Sequence, residues 1–342
     1  MEKANLNWSE LSFGYMKTNC HLEYYFKDGK WSDAKVVEDD KISLSIASTC
    51  LHYGQECFEG LKVFEDKNGN ALLFRGEQNA RRMIRSAKKL LMEPVPEEIF
   101  LDSIHKLVKL NKEFIPPYGS GSSLYIRPLL IGISGMIGVK PSLEYLYLVF
   151  CSPVGPYFKS GLKPIRLMVE ESMDRAAPDG IGDVKAGGNY AAGLRASKKA
   201  HDNGFNEVLY LDAKHKKYID ESGPANFFAI SYDGKYITPK SDSILASITN
   251  DSLMILAEDM GIEVQKRKVS IDELATFKEA GCCGTAAVIA PVESITYREQ
   301  TFLYTENQQV GPTSLKLYNR LTGIQNGTVE DKFGWTKKIK LD

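Results

Sequence analysis

Apolar positions recur along this chain at two different spacings, and the changes of spacing mark its elements. Ala71–Arg75 is a short apolar run that reads as a strand. Glu77–Met92, rich in Arg, Lys, Ala and Leu, reads as a helix. Pro96 opens a second helical pattern whose apolar residues Ile99, Ile104, Leu107, Val108 and Phe114 fall on one face, and Pro116–Pro117 ends it. Ser122–Ile133 and Tyr145–Phe150, rich in Leu, Ile, Val and Tyr, read as strands. The first half is therefore α+β.

Ser152–Gly161 holds two prolines and two glycines in ten residues and is the best linker in the chain. Beyond it the pattern predicts a strand near Ile165–Val169, a helix from about Ala191 and a strand over Glu207–Leu211. Ala225–Ser231 and Tyr236–Thr238 form a hairpin turning at Asp233–Gly234. Asp251–Met260 is a helix stopped by Gly261, Glu263–Lys268 a strand, and Ser270-Ile-Asp-Glu273 a capping box that opens a short helix. Two mixed domains follow: residues 1–152 as an amino-terminal α+β domain, 153–160 as linker, and 161–342 as a larger carboxyl-terminal domain.

Composition narrows the function. The 342 residues are 43% hydrophobic and 25% charged, as in a globular protein, and the net charge is −1. No basic block or stripe offers a nucleic-acid footprint. The apolar runs Leu143–Cys151 and Ala286–Val292 are too short to span a bilayer, so no membrane partner is expected. The start, Met1–Glu10, is polar and has no signal-peptide core. Cysteines at 20, 50, 57, 151, 282 and 283 have no metal-ligand spacing, so no metal is expected, and the cytoplasm is the expected compartment.

Four segments can carry chemistry. Gly182-Asp-Val-Lys185-Ala-Gly-Gly-Asn-Tyr190 sets a lysine among glycines just before a helix. An amine desolvated there attacks carbonyls to form a Schiff base. Tyr218-Ile-Asp-Glu221-Ser-Gly-Pro-Ala-Asn226 offers Asp220 and Glu221, either of which could keep a cofactor ring nitrogen protonated. Ile244-Leu-Ala-Ser-Ile-Thr249 runs into a helix whose first amides suit a phosphate. Cys282-Cys-Gly-Thr285-Ala-Ala supplies small residues and a hydroxyl for a tight turn around an anion.

In this order the segments resemble the branched-chain amino-acid aminotransferases of the fold-type IV class of pyridoxal-phosphate enzymes. The resemblance runs from Phe13-Gly14 to about Tyr318. Its motifs are Leu51-His-Tyr-Gly-Gln-Glu-Cys-Phe-Glu-Gly-Leu-Lys62, Phe74-Arg75 with Arg82-Met83, Ser123-Leu-Tyr-Ile-Arg-Pro128, Lys185-Ala-Gly-Gly-Asn-Tyr190, the Glu221 segment and Gly284-Thr285-Ala286. It implies the D-amino-acid-aminotransferase-like α+β/α/β architecture of two domains, with pyridoxal 5′-phosphate between them. Lys185 would hold that cofactor covalently and later shuttle a proton between the substrate Cα and C4′ of the cofactor. Glu221, rather than Asp220, would pair with the ring nitrogen, Tyr190 with the ring oxygen, and Leu245 would pack on the ring. Arg82, the amides of Ile248 and Thr249, and Thr285 would hold the phosphate, with Arg175 nearby. The substrate would meet Phe13, Tyr53, Phe58, Tyr125, Arg127 and Val139, and the Ala286 amide would receive its α-carboxylate. Tyr53 and Val139 would come from the partner subunit of a homodimer with a composite active site.

The chain departs from the family pattern at Pro224, where many relatives carry a carboxylate-binding threonine. It also departs at Ala287 and Ala290, where mammalian members carry a redox-sensitive cysteine pair; Cys282–Cys283 lies upstream of that place. The expected reaction is ping-pong transfer of an amino group from leucine, isoleucine or valine to 2-oxoglutarate. Its alternative is another fold-type IV enzyme, a D-amino-acid aminotransferase or an aminodeoxychorismate lyase. Neither would be expected to carry the Ser123–Pro128 block. A binding protein that has lost catalysis is a third reading, opposed by the intact Lys185, Glu221 and Arg82.

Overall fold

The computed structural model describes residues 2–156, 161–307 and 309–341. Its contacts fall into two compact units. The first unit, Met1–Lys159 with Val184–Gly187 and Gly323–Asp342, is built on an antiparallel sheet. Its strands run in the order Thr336–Ile339, Ala71–Phe74, Leu61–Glu65, Ser123–Gly132, Tyr145–Val154, His21–Lys27 and Lys30–Trp31. Lys35–Val37 adds to His21–Lys27, and Glu56–Phe58 adds to Ser123–Gly132.

Period-two alternation gives this sheet its two faces. Along the central strand Leu124, Ile126 and Leu130 point into a core shared with Met83, Ala87, Phe100, Ile104 and Leu107 of the helices Gly76–Lys89 and Glu97–Leu110. Tyr125, Arg127 and Leu129 therefore point to the other face. A buried hydroxyl pair, Ser103 Oγ and Tyr147 Oη at 2.9 Å, lies on the core side, so neither group is left unsatisfied there. The second predicted helix ends at Leu110 rather than reaching Phe114. Lys112–Phe114 forms a separate 3₁₀ turn after Asn111, whose side chain donates back to the Leu107 carbonyl at 2.9 Å and to the Cys20 carbonyl at 3.2 Å.

The second unit, Ser160–Asp183 with Gly188–Thr322, closes on itself. Ile219–Ser222, Glu207–Leu211, Ile165–Glu170, Val288–Tyr297, Phe277–Gly284 and Ala225–Ser231 pair in sequence around a ring, and the last pairs again with the first. Tyr236–Pro239 and Val264–Arg267 extend it from the hairpin, and Gln300–Leu303 pairs with Val288–Tyr297. The capping box at Ser270 and Glu273 forms as the sequence requires, on the 3₁₀ helix Ile271–Thr276.

Two details differ from a cut at 153–160. The strand Tyr145–Val154 continues through the first residues of the linker, because Ser152, Pro153 and Val154 pair with Tyr125, Leu124 and Ser123. Residues 157–160 of that linker lie outside the described residues. The lysine segment Val184–Gly187 and the tail Gly323–Asp342 belong by contact to the first unit, so the Lys185 backbone is not part of the carboxyl-terminal unit. Pairing explains the tail: Thr336–Ile339 covers the edge of Ala71–Phe74, and the Trp335 carbonyl accepts the Arg75 N–H at 2.7 Å. Ile339 is buried at that edge. Ile339→Ala should lower stability in urea denaturation by about 2–5 kcal/mol, the usual cost of truncating a buried aliphatic side chain. A loss below about 0.5 kcal/mol would mean that the tail strand is not docked in solution.

Candidate active site

The face carrying Tyr125 and Arg127 gathers side chains from three neighbouring strands. Lys62 stands opposite Tyr125, Phe58 opposite Leu129, and Glu56 opposite Ile131, so Glu56, Phe58 and Lys62 share the face with Tyr125 and Arg127. Gly60 lies between Phe58 and Lys62, and a Cβ there would collide with the Tyr125 hydroxyl. That hydroxyl accepts a hydrogen bond from Arg127 Nη2 at 3.0 Å. Phe13 meets Tyr125 edge to face at 5.3 Å. The Arg127 guanidinium stands 4.7 Å from the centre of the Phe58 ring, and its Nε is buried with no hydrogen-bond partner among the described residues.

Lys185 reaches the same ring. Its Nζ is 4.7 Å from the Phe58 centroid. The flanking Val184 and Ala186 are buried, and the lysine backbone is pinned on both sides. Phe58 donates its N–H to the Lys185 carbonyl at 3.0 Å, and the Lys185 N–H donates to Ser86 Oγ at 3.3 Å. Two residues on, the Gly187 N–H donates to the Glu56 carboxylate. A Cβ there would sit 2.5 Å from Glu56 Oε1, so a side chain at this position would displace that carboxylate.

Behind this face lies a closed ion pair. Glu59 is fully buried and accepts from Arg82 Nε and Nη2, each at 2.7 Å, and from Asn79 Nδ2 at 2.8 Å. Burial alone would raise the Glu59 carboxyl. The charge and hydrogen bonds of Arg82, helped by Lys185 and Asn79, hold it below the usual carboxylate range. Arg82, expected at a phosphate, thus has two of its nitrogens tied to Glu59. The motif around Phe58 contains Glu56 and Glu59, but sequence reasoning assigns neither a role. The available signal is the two-residue spacing of Glu56, Phe58, Gly60 and Lys62, which puts all four on one side of an extended chain. Burial pulls the Lys62 amine down to about 8.

In the second unit, Glu221 and Asp220 are neighbours on the strand Ile219–Ser222 and so face opposite ways. Both are buried. Glu221 accepts the Leu245 N–H and stands 3.6 Å from Arg175 Nη2. Arg175 also donates to the carbonyls of Gly182, at 2.8 Å, and Ser243. Burial pushes the Asp220 carboxyl up, against Ser241 and Arg175, and its Oδ1 has no partner among the described residues. Asn226 pairs with Glu221 across the strands, and its side-chain amide donates to the Leu245 carbonyl at 3.2 Å.

Ile248 and Thr249 open the helix Ile248–Asp259, whose cap Ser247 accepts the Asn250 N–H at 3.1 Å. One hydroxyl cannot satisfy all four leading amides, so this end suits an anion. Thr285 and Ala286 form the turn between Phe277–Gly284 and Val288–Tyr297. A buried carboxylate beside an arginine, a helix start and a hydroxyl turn make a donor set that fits a phosphorylated pyridine. Tyr190 lies in the first turn of the helix Gly187–Asp202. Cys282 and Cys283 are buried; burial pushes the first thiol up to about 12 and the second well above its ordinary value, so neither is a ready thiolate. Tyr53 donates to the Ile137 carbonyl, and Val139 is 80% exposed.

Comparison with known proteins identifies the class. The family profile described as Amino-transferase class IV matches residues 56–295, and the chain belongs to that family. Within it, the chain is 46% identical to a branched-chain-amino-acid aminotransferase of Haemophilus influenzae, over 98% of this chain and 99% of that protein. It is 45% identical to one of Helicobacter pylori, over 98% of each. Among solved structures it resembles the branched-chain amino acid aminotransferase of Escherichia coli at a TM-score of 0.77 and 28% identity, covering 93% of this chain and 100% of that one. It also resembles the T.th. branched-chain amino acid aminotransferase complexed with N-(5′-phosphopyridoxyl)-L-glutamate, at a TM-score of 0.79 and 27% identity, covering 95% and 100%. The resemblance and the fold class read from the motifs are borne out.

Glu59→Ala should leave the Arg82 charge buried without its partner and cost about 3–5 kcal/mol in urea denaturation of the cofactor-free protein. Adding Arg82→Met should recover most of that loss. A single variant as stable as the parent would show that the pair is not closed in solution.

Proposed function

We propose that this chain is a pyridoxal 5′-phosphate-dependent branched-chain-amino-acid transaminase working by a ping-pong cycle. One observation carries the reading: Lys185 and Arg127 address the same Phe58 ring, each at 4.7 Å. A reactive amine, an apolar wall and a cation for a second carboxylate thus meet on one sheet face. The close likeness to branched-chain enzymes over nearly the whole chain favours this over a D-amino-acid aminotransferase or an aminodeoxychorismate lyase. Branched-chain substrates need the apolar wall, and 2-oxoglutarate needs the cation.

When bound, the cofactor supplies the electron sink for loss of the Cα proton. Lys185 would hold it covalently, and its amine would be the base that moves the substrate Cα proton. Glu221 would keep the ring nitrogen protonated. Asp220 is the poorer candidate because burial favours its neutral form. Arg82, the amides of Ile248 and Thr249, and the Thr285 hydroxyl would hold the phosphate, with Arg175 as a further candidate. Tyr190 would bond the ring oxygen and Leu245 would pack on the ring. Phe13, Phe58 and Tyr125 line the side-chain pocket, and the Ala286 amide takes the α-carboxylate in place of a hydroxyl at Pro224.

Tyr53 and Val139 serve a second copy of the chain. Tyr53 ends the short helix Thr49–Tyr53 and Val139 lies on the loop after Gly132. A bond from the Met136 N–H to the Ala47 carbonyl at 3.0 Å ties the two segments, and they also expose Ile46, Leu51, Ile137 and Leu143. Such an apolar set supports a homodimer. No helix among the described residues is long and apolar enough to cross a membrane, and the cysteines are unpaired. We assign the cytoplasm as its compartment.

With pyridoxal phosphate and 2-oxoglutarate, leucine, isoleucine and valine should each yield glutamate. Activity on D-alanine with none on these three would overturn the reading. Glu221→Gln should slow the leucine half-reaction by roughly 10²-fold or more, and Asp220→Asn should slow it less. The reverse ranking would show that the ring nitrogen meets Asp220.

A further inference from the structure

Sequence reasoning gives Glu56 no role, yet its carboxylate lies against the segment that carries the reactive lysine. Glu56 and Phe58 stand two residues apart, and so do Gly187 and Lys185. At one end the Phe58 N–H meets the Lys185 carbonyl at 3.0 Å; at the other the Glu56 carboxylate accepts the Gly187 N–H. The first bond is backbone to backbone and does not depend on the side chain at 58. The second exists only because residue 56 carries an acceptor of this length.

The chain beneath that carboxylate is itself held. Glu56 pairs with Ile131 of the central strand, and its N–H donates to the Gly54 carbonyl at 2.9 Å. Beside it the Gln55 carbonyl accepts the Gly132 N–H at 3.0 Å. Gln55 Oε1 accepts from Thr49 Oγ1 at 3.1 Å and from the Ser142 N–H at 2.9 Å. Gly187 opens the helix Gly187–Asp202, so its amide is one of the four that a helix leaves without an internal partner. An anion is favoured at such an end, and a carboxylate makes a stronger bond to a backbone N–H than a neutral acceptor does.

We propose that Glu56 is a positioning residue for Lys185: by holding the Gly187 N–H it fixes the chain two residues beyond the lysine and so aims the amine at the cofactor aldehyde. The inference rests on the assignment of Lys185 as the cofactor lysine. In the step it serves, the Lys185 nitrogen bonds to the aldehyde carbon and the carbonyl oxygen leaves as water, with no oxidant or reductant. Glu56 touches neither reacting atom. Without it, the bonds to Phe58 and Ser86 Oγ still hold Lys185 itself, but the chain after it loses its hold. Small misplacements of a reacting group cost rate steeply.

The test mixes cofactor-free protein with pyridoxal phosphate and traps the covalent link with borohydride over time. Binding of pyridoxamine phosphate, which has no aldehyde, is measured beside it. Glu56→Ala should slow trapping at Lys185 by about tenfold or more and leave the Kd for pyridoxamine phosphate unchanged. Hydrogen exchange in the segment Val184–Gly187 of the cofactor-free variant should be faster than in the parent. Glu56→Gln keeps an acceptor oxygen and should restore most of the rate; Glu56→Asp, one methylene shorter, should not. Gly187→Ala breaks the same bond from the other side, since its backbone is not left-handed but its Cβ displaces the carboxylate. It should slow trapping as Glu56→Ala does, and combining the two should slow it no further. The proposal is overturned if Glu56→Ala traps at the parental rate, or if it weakens pyridoxamine phosphate in the same proportion, the mark of a merely structural role. Should Glu56→Ala fail to fold, the Gln, Asp and Gly187→Ala variants decide by the same comparison. If Lys185→Ala still traps the cofactor at the parental rate, the Lys185 assignment itself falls and takes the proposal with it.

Discussion

Phe58 donates its backbone N–H to the carbonyl of Lys185, and much of the site's geometry follows from that bond. A lysine on a glycine-flanked loop has four rotatable side-chain bonds and a mobile backbone, so its amine is useful only if the chain beneath it is held. Here the Lys185 backbone is treated almost as a strand: Phe58 on one side, Ser86 Oγ on the other, and Glu56 taking the Gly187 N–H two residues on. The same strand that holds the lysine presents the Phe58 ring to its amine. Positioning and pocket are therefore one structure rather than two, and preorganisation of that kind lowers the entropy lost on reaching a reactive geometry.

Charge is managed in layers around this core. Glu59 and Arg82 form a closed pair with excellent geometry, which is the condition under which two buried charges are tolerated. Asp220 and Glu221, adjacent in sequence, are separated by strand alternation into different electrostatic settings. One has an orphaned oxygen and a raised carboxyl; the other has a backbone donor and an arginine at 3.6 Å. Two carboxylates of similar chemistry thereby acquire different fitness for a permanent negative charge.

Much of this was legible from residues. Strand and helix periods placed the central strands, the hairpin at Gly234 and the capping box at Ser270, because each rests on local geometry. Contacts between distant segments were not legible. Nothing near Thr336–Ile339 says that it covers the edge of Ala71–Phe74, and nothing near Lys185 says that its backbone joins the first unit. The functional residues named from motifs were the chemically distinctive ones. Glu56 and Glu59 were passed over because a glutamate near a short strand usually faces solvent; only the register against Ser123–Gly132 puts Glu56 on the site face, and only the distant Arg82 and Asn79 partner Glu59.

The central claim is that Lys185, held by Phe58, is the amine that carries the cofactor. Borohydride reduction of the protein loaded with pyridoxal phosphate, followed by peptide mapping, tests it directly. A reduced pyridoxyl group is expected on Lys185. The nearest competitor is Lys62, whose amine burial pulls down to about 8 and which lies on the same sheet face. Label on Lys62, or on any lysine other than Lys185, would contradict the account.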